Sequence, residues 1–271
     1  MWPFRHLRRR ALLRKELIPD DPWRRMFHKN PLFAGLPNPE ENRLRELSTL
    51  FIHEKHIVPA SGFQVDDDVR LSIALQACLP ILNLGLDWYE DWSTIIVYPG
   101  LFRHRRMHQD DAGVIHARDE TLSGEAWEIG PVVLSSADVD LSGRMDGYNV
   151  VIHEMAHKLD MLNGSANGFP PLHRGMDPQL WTSVFSTAFE SLLASLRAGQ
   201  AAPPLDPYAA ESPDEFFAVL SEYFFEVPQH IVTHYPEVYR QLCRFYRQDP
   251  AQRQATKREA PDVHSSLRAP H

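Results

Sequence analysis

The segment from Asn149 to Asp160, NVVIHEMAHKLD, sets two histidines and a glutamate inside one of the most apolar runs of the chain. Val150, Val151 and Ile152 precede His153, and Met155, Ala156, Leu159 and Leu162 continue the run, which predicts a helix buried on most sides. Polar groups in such surroundings are costly unless something compensates them. His153 and His157 are four apart and share a helical face, so their imidazoles can converge on one zinc ion. Glu154 is turned about 100° from His153. That places it beside the metal as a proton acceptor for activated water, not on the metal as a ligand. The structural alternative is a pair of hydrogen-bonded core histidines. Asp160, one turn beyond His157, is placed either to hydrogen-bond a ligand imidazole or to make a cap or surface ion pair. Asn163 and Gly164 close the helix.

Other histidine pairs lack this context. His104 and His108 lie among Arg103, Arg105 and Arg106, whose charge opposes a cation. His230 and His234 run into Tyr235-Pro236, where a helix ends. His53 and His56 sit among charges, and all six read as surface histidines. A third ligand is needed if water is to keep one metal position open. The metzincin pattern requires a histidine where this chain has Asn163, and no glutamate occurs between Glu154 and Glu190. Asp177 precedes Pro178 at a helix start. The richer segment is 208–226, YAAESPDEFFAVLSEYFFE. Ser212 as N-cap, Pro213 at the first position and Glu215 at the third make a capping box, which explains Glu215 structurally. Yet Glu215 and Glu222 are seven apart on one face of a very apolar helix. Either can be the ligand with the other behind it, and spacing favours Glu215 only slightly.

The whole chain has 271 residues, 43% of them hydrophobic, and a formal charge of −8. That length and apolar content support a single domain with a real core, which we place at residues 21–249. Its order of elements predicts an α+β fold, mostly helical, with a small β-sheet ahead of the central HExxH helix. Helices are expected over 39–56 and 69–84, the latter interrupted at Pro80. Strands are expected at 94–98 (TIIVY) and 131–135 (PVVLS), with helix from 149 onward. Residues 1–20 form a basic arm, solvated or partly helical, and 250–271 a disordered tail. Only Ala11, Leu12 and Leu13 follow the first basic cluster before Arg14, which is no export signal. No apolar run reaches the ~18 residues that span a bilayer. The acidic balance argues against direct nucleic-acid binding, and Cys78 and Cys243, in apolar runs, read as buried free thiols. A cytoplasmic protein with no membrane contact is the expectation.

These pieces together are similar to the Mlc titration factor A (MtfA) family of zinc-dependent peptidases, whose sites are related to that of anthrax lethal factor. The resemblance rests on LSIALQACLPIL with LGLDW (71–88), IIVYP (95–99), LSGEAW with GPVVLS (122–135), NVVIHEMAHKLDMLNG (149–164), the 208–226 segment and FYRQDP (245–250). It implies one Zn2+ held by His153, His157 and Glu215, Glu154 as general base, and Tyr208 as hydroxyl donor to the oxyanion. It also implies an aminopeptidase-like, gluzincin-type metallopeptidase acting on a peptide or protein substrate, with a link to a transcriptional repressor of the Mlc type that controls sugar phosphotransferase genes. The Arg-rich N-terminus and residues 102–119 depart from the family pattern. Two other readings stand beside it. One is a zinc-containing module that sequesters a transcription factor, with hydrolysis incidental. The other is a structural site with four protein ligands.

Overall fold

The computed structural model describes residues 2–60, 62, 64–99, 130–199 and 205–259. His104, His108 and the segment 122–129 lie outside the described residues. In chain order the helices are α1 (Trp2–Glu16), α2 (Asp20–Lys29), α3 (Asn38–Glu54), α4 (Asp67–Cys78), α5 (Ser136–Leu141), α6 (Val150–Asp160), α7 (Pro178–Arg197), α8 (Pro213–Glu226), α9 (Pro228–His234), α10 (Pro236–Tyr246) and α11 (Pro250–Glu259). Strands β1 (His56–Pro59), β2 (Thr94–Tyr98) and β3 (Val132–Ser135) form one parallel sheet in that order, with Ile95 opposite both Ile57 and Val132. The α+β expectation is met: a small sheet precedes the central helix of an otherwise helical domain.

The β-branched run of β2 sits mid-sheet, with Ile95 and Val97 fully buried. β1 had no sequence signal, because its four residues, His-Ile-Val-Pro, bury only Ile57. Among the described residues β1 and β3 are the two edge strands, and β3 lies against α5 and α6. Just before it, the Gly130 carbonyl accepts a hydrogen bond from Lys158 Nζ at 3.0 Å, tying the strand to α6.

At both ends of the described chain, residues 2–16 and 250–259, the structure is helical, as one alternative for the basic arm had it. The basic arm is a docked helix: Arg9 makes a two-pronged contact with Glu54 (2.7 and 2.8 Å) and reaches Asp87 (2.6 Å), while Arg5 pairs with Glu90. Its acidic partners lie far away in sequence, so local reading could not find them. The supposed tail at 250 begins instead with α11, whose Ala251 is buried and donates its backbone N–H to the Tyr239 hydroxyl oxygen at 3.0 Å. Pro250 is the first helical position. Cys78 is buried as expected; Cys243 is only half-buried. Among the described residues no helix is long and apolar enough to cross a membrane.

The core is aromatic where α7, α8 and α10 meet. Trp181, Phe216, Phe217, Phe224, Phe225 and Phe245 are essentially inaccessible, and Trp181 stacks on Phe185 with centroids 4.3 Å apart. Each such side chain contributes about 1.5–3 kcal/mol of burial free energy, so α8 is held rigidly along α6.

The loop between α6 and α7 closes tightly on the start of α8. Gly168 has φ +77°, its N–H donates to Asp160 Oδ2 at 2.7 Å, and its carbonyl accepts from Trp181 Nε1 at 3.0 Å. A Cβ there would meet the Pro213 carbonyl oxygen at 2.5 Å, a backbone atom that cannot swing aside. Gly168→Ala is expected to cost about 2–4 kcal/mol, combining left-handed strain with overpacking. Gly175→Ala, at φ +92° but with open space around its Cβ, should lose only the strain part, about 1 kcal/mol. Urea denaturation midpoints compare them, and equal losses would remove the packing argument.

Candidate metal centre

Asn149 starts α6. Its side chain accepts a hydrogen bond from the Ile152 N–H at 3.0 Å, which caps the helix and fixes where its first turn begins. His153 and His157 then project from one face, both largely buried, with Nε2 atoms 3.2 Å apart. From α8, Glu215 Oε2 stands 3.0 Å from His153 Nε2 and 3.5 Å from His157 Nε2. The capping box is only half made: the Ser212 hydroxyl accepts from the Glu215 N–H at 3.5 Å, but the Glu215 carboxylate goes to the histidines. The sequence alternatives for Glu215 and Glu222 therefore separate. Glu222 Oε1 lies 2.8 Å from His153 Nδ1, on the far side of the ring.

Charge explains the protonation preferences. Burial works against a charged His153, yet its hydrogen bonds to Glu215 and Glu222 outweigh that and hold its pKa well above the ordinary value. Burial likewise opposes the Glu215 carboxylate, but the two imidazoles bring its pKa far below the carboxylate range. Burial, followed by the charge of Glu215, raises Tyr208 above its normal range, and its hydroxyl hydrogen-bonds Glu215. The Tyr208 ring lies 5.9 Å from that of His153, held on a 3-10 turn (Pro207–Ala210) that Asp206 caps at 3.0 Å. Glu154 is half-buried, and its negative charge acts on His153, Tyr208 and Lys158. The four-residue spacing, the later carboxylate and the tyrosine thus meet at one place.

A family model for the glucose-regulated metallo-peptidase M90 family matches residues 4–247. The chain belongs to that family. Its relatives include Mlc titration factor A of Cronobacter sakazakii (strain ATCC BAA-894), 38% identical over 81% of this chain and 83% of that protein. Mlc titration factor A of Escherichia coli (strain 55989 / EAEC) is 36% identical over 86% and 88%. That of Yersinia pestis (strain Pestoides F) is 38% identical over 82% and 83%. A metal is implied for an M90 metallopeptidase, and the described residues offer one group suited to hold it, His153, His157 and Glu215, with ligand atoms within 4.8 Å of one another.

The spacing of these atoms tests the fit. Ligand bonds of about 2.0–2.1 Å in a tetrahedron set the donor atoms about 3.3 Å apart. The three separations are 3.0, 3.2 and 3.5 Å. With Nδ1 of His153 turned to Glu222, its Nε2 faces Glu215 and His157 at the centre. Glu215 Oε2 is a buried oxygen directed at the two imidazole Nε2 atoms. Three converging Lewis bases fit a divalent cation.

Asp160 takes neither role expected from the sequence. Its Oδ2 accepts the N–H groups of Asn167 (2.8 Å) and Gly168 (2.7 Å), so it organises the loop beyond α6. Asp177 caps α7, accepting from the Gln179 N–H at 2.9 Å. His230 and His234 close α9 with rings 4.6 Å apart.

Sequence reasoning missed Glu226 and the function of Asn149. The fully buried Glu226 carboxylate accepts N–H groups from Gly143 (2.9 Å), Met145 (2.6 Å) and the Asn149 side chain (2.8 Å). The Asn149 backbone N–H donates to Glu222 Oε2 at 2.5 Å. Asn149 thus joins both buried carboxylates of α8 to the start of the histidine helix. The available signal was a cap residue before an apolar helix, together with two glutamates four apart in the most aromatic one.

Proposed function

We propose that this chain is a zinc metallopeptidase of the gluzincin type, hydrolysing peptide bonds near a substrate N-terminus. The observation that carries the reading is the convergence of His153, His157 and Glu215 with a half-buried Glu154 beside them. The two-nitrogen, one-oxygen donor set suits zinc. An ion held there supplies Lewis acidity, polarising a carbonyl oxygen and lowering the pKa of water.

The chain's own residues supply the rest. Glu222 fixes the ring of His153 by its hydrogen bond to Nδ1, so the imidazole presents Nε2 at the centre. Glu154 takes a proton from the attacking water and returns it to the leaving amine nitrogen. The Tyr208 hydroxyl, kept protonated by burial and the charge of Glu215, donates a hydrogen bond to the tetrahedral oxyanion. The segment 130–135, with β3 at the edge and tied to α6 through Lys158, offers backbone groups to an extended peptide. A substrate-bound structure with the peptide elsewhere overturns that last assignment.

The test is zinc content of the purified protein beside hydrolysis of a panel of amino-acid anilides. We expect activity lost to a chelator and restored by zinc; hydrolysis that persists in metal-free protein overturns the reading. Tyr208→Phe should lower kcat about 100-fold with KM little changed. An unchanged kcat removes Tyr208 from the oxyanion role.

The relatives' name favours a second reading. Mlc titration factor A is named for titration, not cleavage, and a chain that sequesters an Mlc-type repressor needs the site only for its shape. Repressor binding that persists while no peptide is cleaved supports it.

A further inference from the structure

A second site lies away from the histidines, where the α8–α9 junction meets the turn at residues 31–34, Met145 and α11. These elements surround a cavity of about 540 Å³. Its walls mix hydrocarbon, chiefly Leu32, Ala34 and Val227, with the cationic or hydrogen-bonding side chains of Arg253 and His230. Arg253 Nε and His230 Nε2 are both buried and lack hydrogen-bond partners among the described residues. Buried donors of this kind are normally satisfied, and each that is not calls for a partner.

The nearby acids do not provide it. Glu226 lines the cavity, but both its carboxylate oxygens are engaged by Gly143, Met145 and Asn149. Glu40 and Asp249 act on Arg253 through their charge only. Glu40 accepts from Asn83 at 3.2 Å, and Asp249 from the Tyr239 hydroxyl at 2.6 Å and the Gln252 N–H at 3.0 Å. Beside the amides of Gln229 and Gln254, the cavity therefore offers the unpartnered Arg253 Nε–H of a cationic guanidinium and His230 Nε2, which match the two oxygens of a carboxylate. The hydrocarbon walls match an apolar body.

We propose that this cavity binds a small organic acid, its carboxylate against Arg253 and His230 and its hydrocarbon along Leu32, Ala34 and Val227. The pocket shares no residue with the candidate metal ligands, so it stands or falls independently of the peptidase reading.

Titration calorimetry on the full chain, as purified and after chelation, tests this with butanoate as probe. Acetate supplies the head without the body, and butylammonium the body with reversed charge. Butanoate should bind saturably in both preparations, acetate more weakly and butylammonium not at all. Arg253→Gln should weaken butanoate about tenfold or more. Ala34→Trp, which fills the cavity and leaves the cation, should do the same, and it carries the test if the first variant fails to fold. Absence of saturable butanoate binding, equal binding of butylammonium, or loss of binding on chelation overturns the proposal.

Discussion

Glu154→Gln should reduce peptide hydrolysis about 1,000-fold or more while the protein keeps its metal and its stability. The replacement has the same shape and length, but an amide cannot accept the proton of the attacking water, and general-base catalysis contributes about 100- to 10,000-fold. The Glu154 charge also acts on His153, Tyr208 and Lys158, for each of which it is a minor influence beside burial. Glu154 is only half-buried, and it is not among the three converging ligand residues. Lys158, which feels its charge, keeps its hydrogen bond to the Gly130 carbonyl. The unfolding midpoint should therefore move little. Measuring kcat/KM, zinc stoichiometry and the urea midpoint on one preparation separates the causes. Activity within tenfold of the parent rules out Glu154 as the base, and loss of zinc means it is a ligand. The same variant divides the two functional readings, because a repressor-sequestering module would bind its partner unchanged with hydrolysis gone.

How much of this was legible in advance depends on the range of the interactions involved. β2 was readable because five residues of β-branched and aromatic type end at Pro99, a local signal. The starts of α6 and α8 were readable because apolar periodicity begins directly after Asn149, and because Ser212 and Pro213 give a cap and first position for α8. β1 was not, since its pairing with β2 bridges 38 positions and leaves three of its four residues out of the core. The docking of α1 was hidden for the same reason: the acids that hold Arg5 and Arg9 come from the end of α3 and the turn near Asp87. α11 escaped notice because polar composition describes its outer face, whereas Pro250 and Ala251 are buried and the Ala251 N–H ties its first turn to Tyr239 of α10.

The candidate centre shows the same division. The histidine pair with its neighbouring glutamate is a single-helix pattern, so its spacing alone defines it. The choice between Glu215 and Glu222 is not local. Both lie on the α6-facing side of α8, and which one meets Nε2 and which one Nδ1 depends on how far α8 is shifted along α6. That offset is set by the aromatic packing of α7, α8 and α10 and by Gly168 closing on Pro213. Spacing in sequence carries no information about it. Asp160 misled for a related reason: the groups that claim it, Asn167 and Gly168, belong to an irregular loop.

The two glutamates of α8 also give the sharpest test of the metal assignment. Glu215→Gln should weaken zinc binding about 100-fold or more. Apparent zinc affinities in protein sites run to about 10–16 kcal/mol, so one ligand of three accounts for about 3 kcal/mol or more, and each 1.4 kcal/mol is a factor of ten. An amide oxygen keeps the shape but not the charge that places Glu215 Oε2 between the two imidazoles. Glu222→Gln keeps every candidate ligand and removes the charge behind His153, with one of the two acceptor oxygens shared between His153 Nδ1 and the Asn149 N–H, and outer partners of this kind typically contribute 10- to 100-fold in affinity. The expected order is therefore parent, Glu222→Gln, Glu215→Gln, measured by competition with a chromophoric chelator. A reversed order would make Glu222 the ligand and require α8 to slide along α6, against the aromatic core that holds it. Equal, small losses in both would mean that the carboxylates serve only as hydrogen-bond acceptors for two core histidines, the structural alternative that the buried HExxH helix raised at the outset.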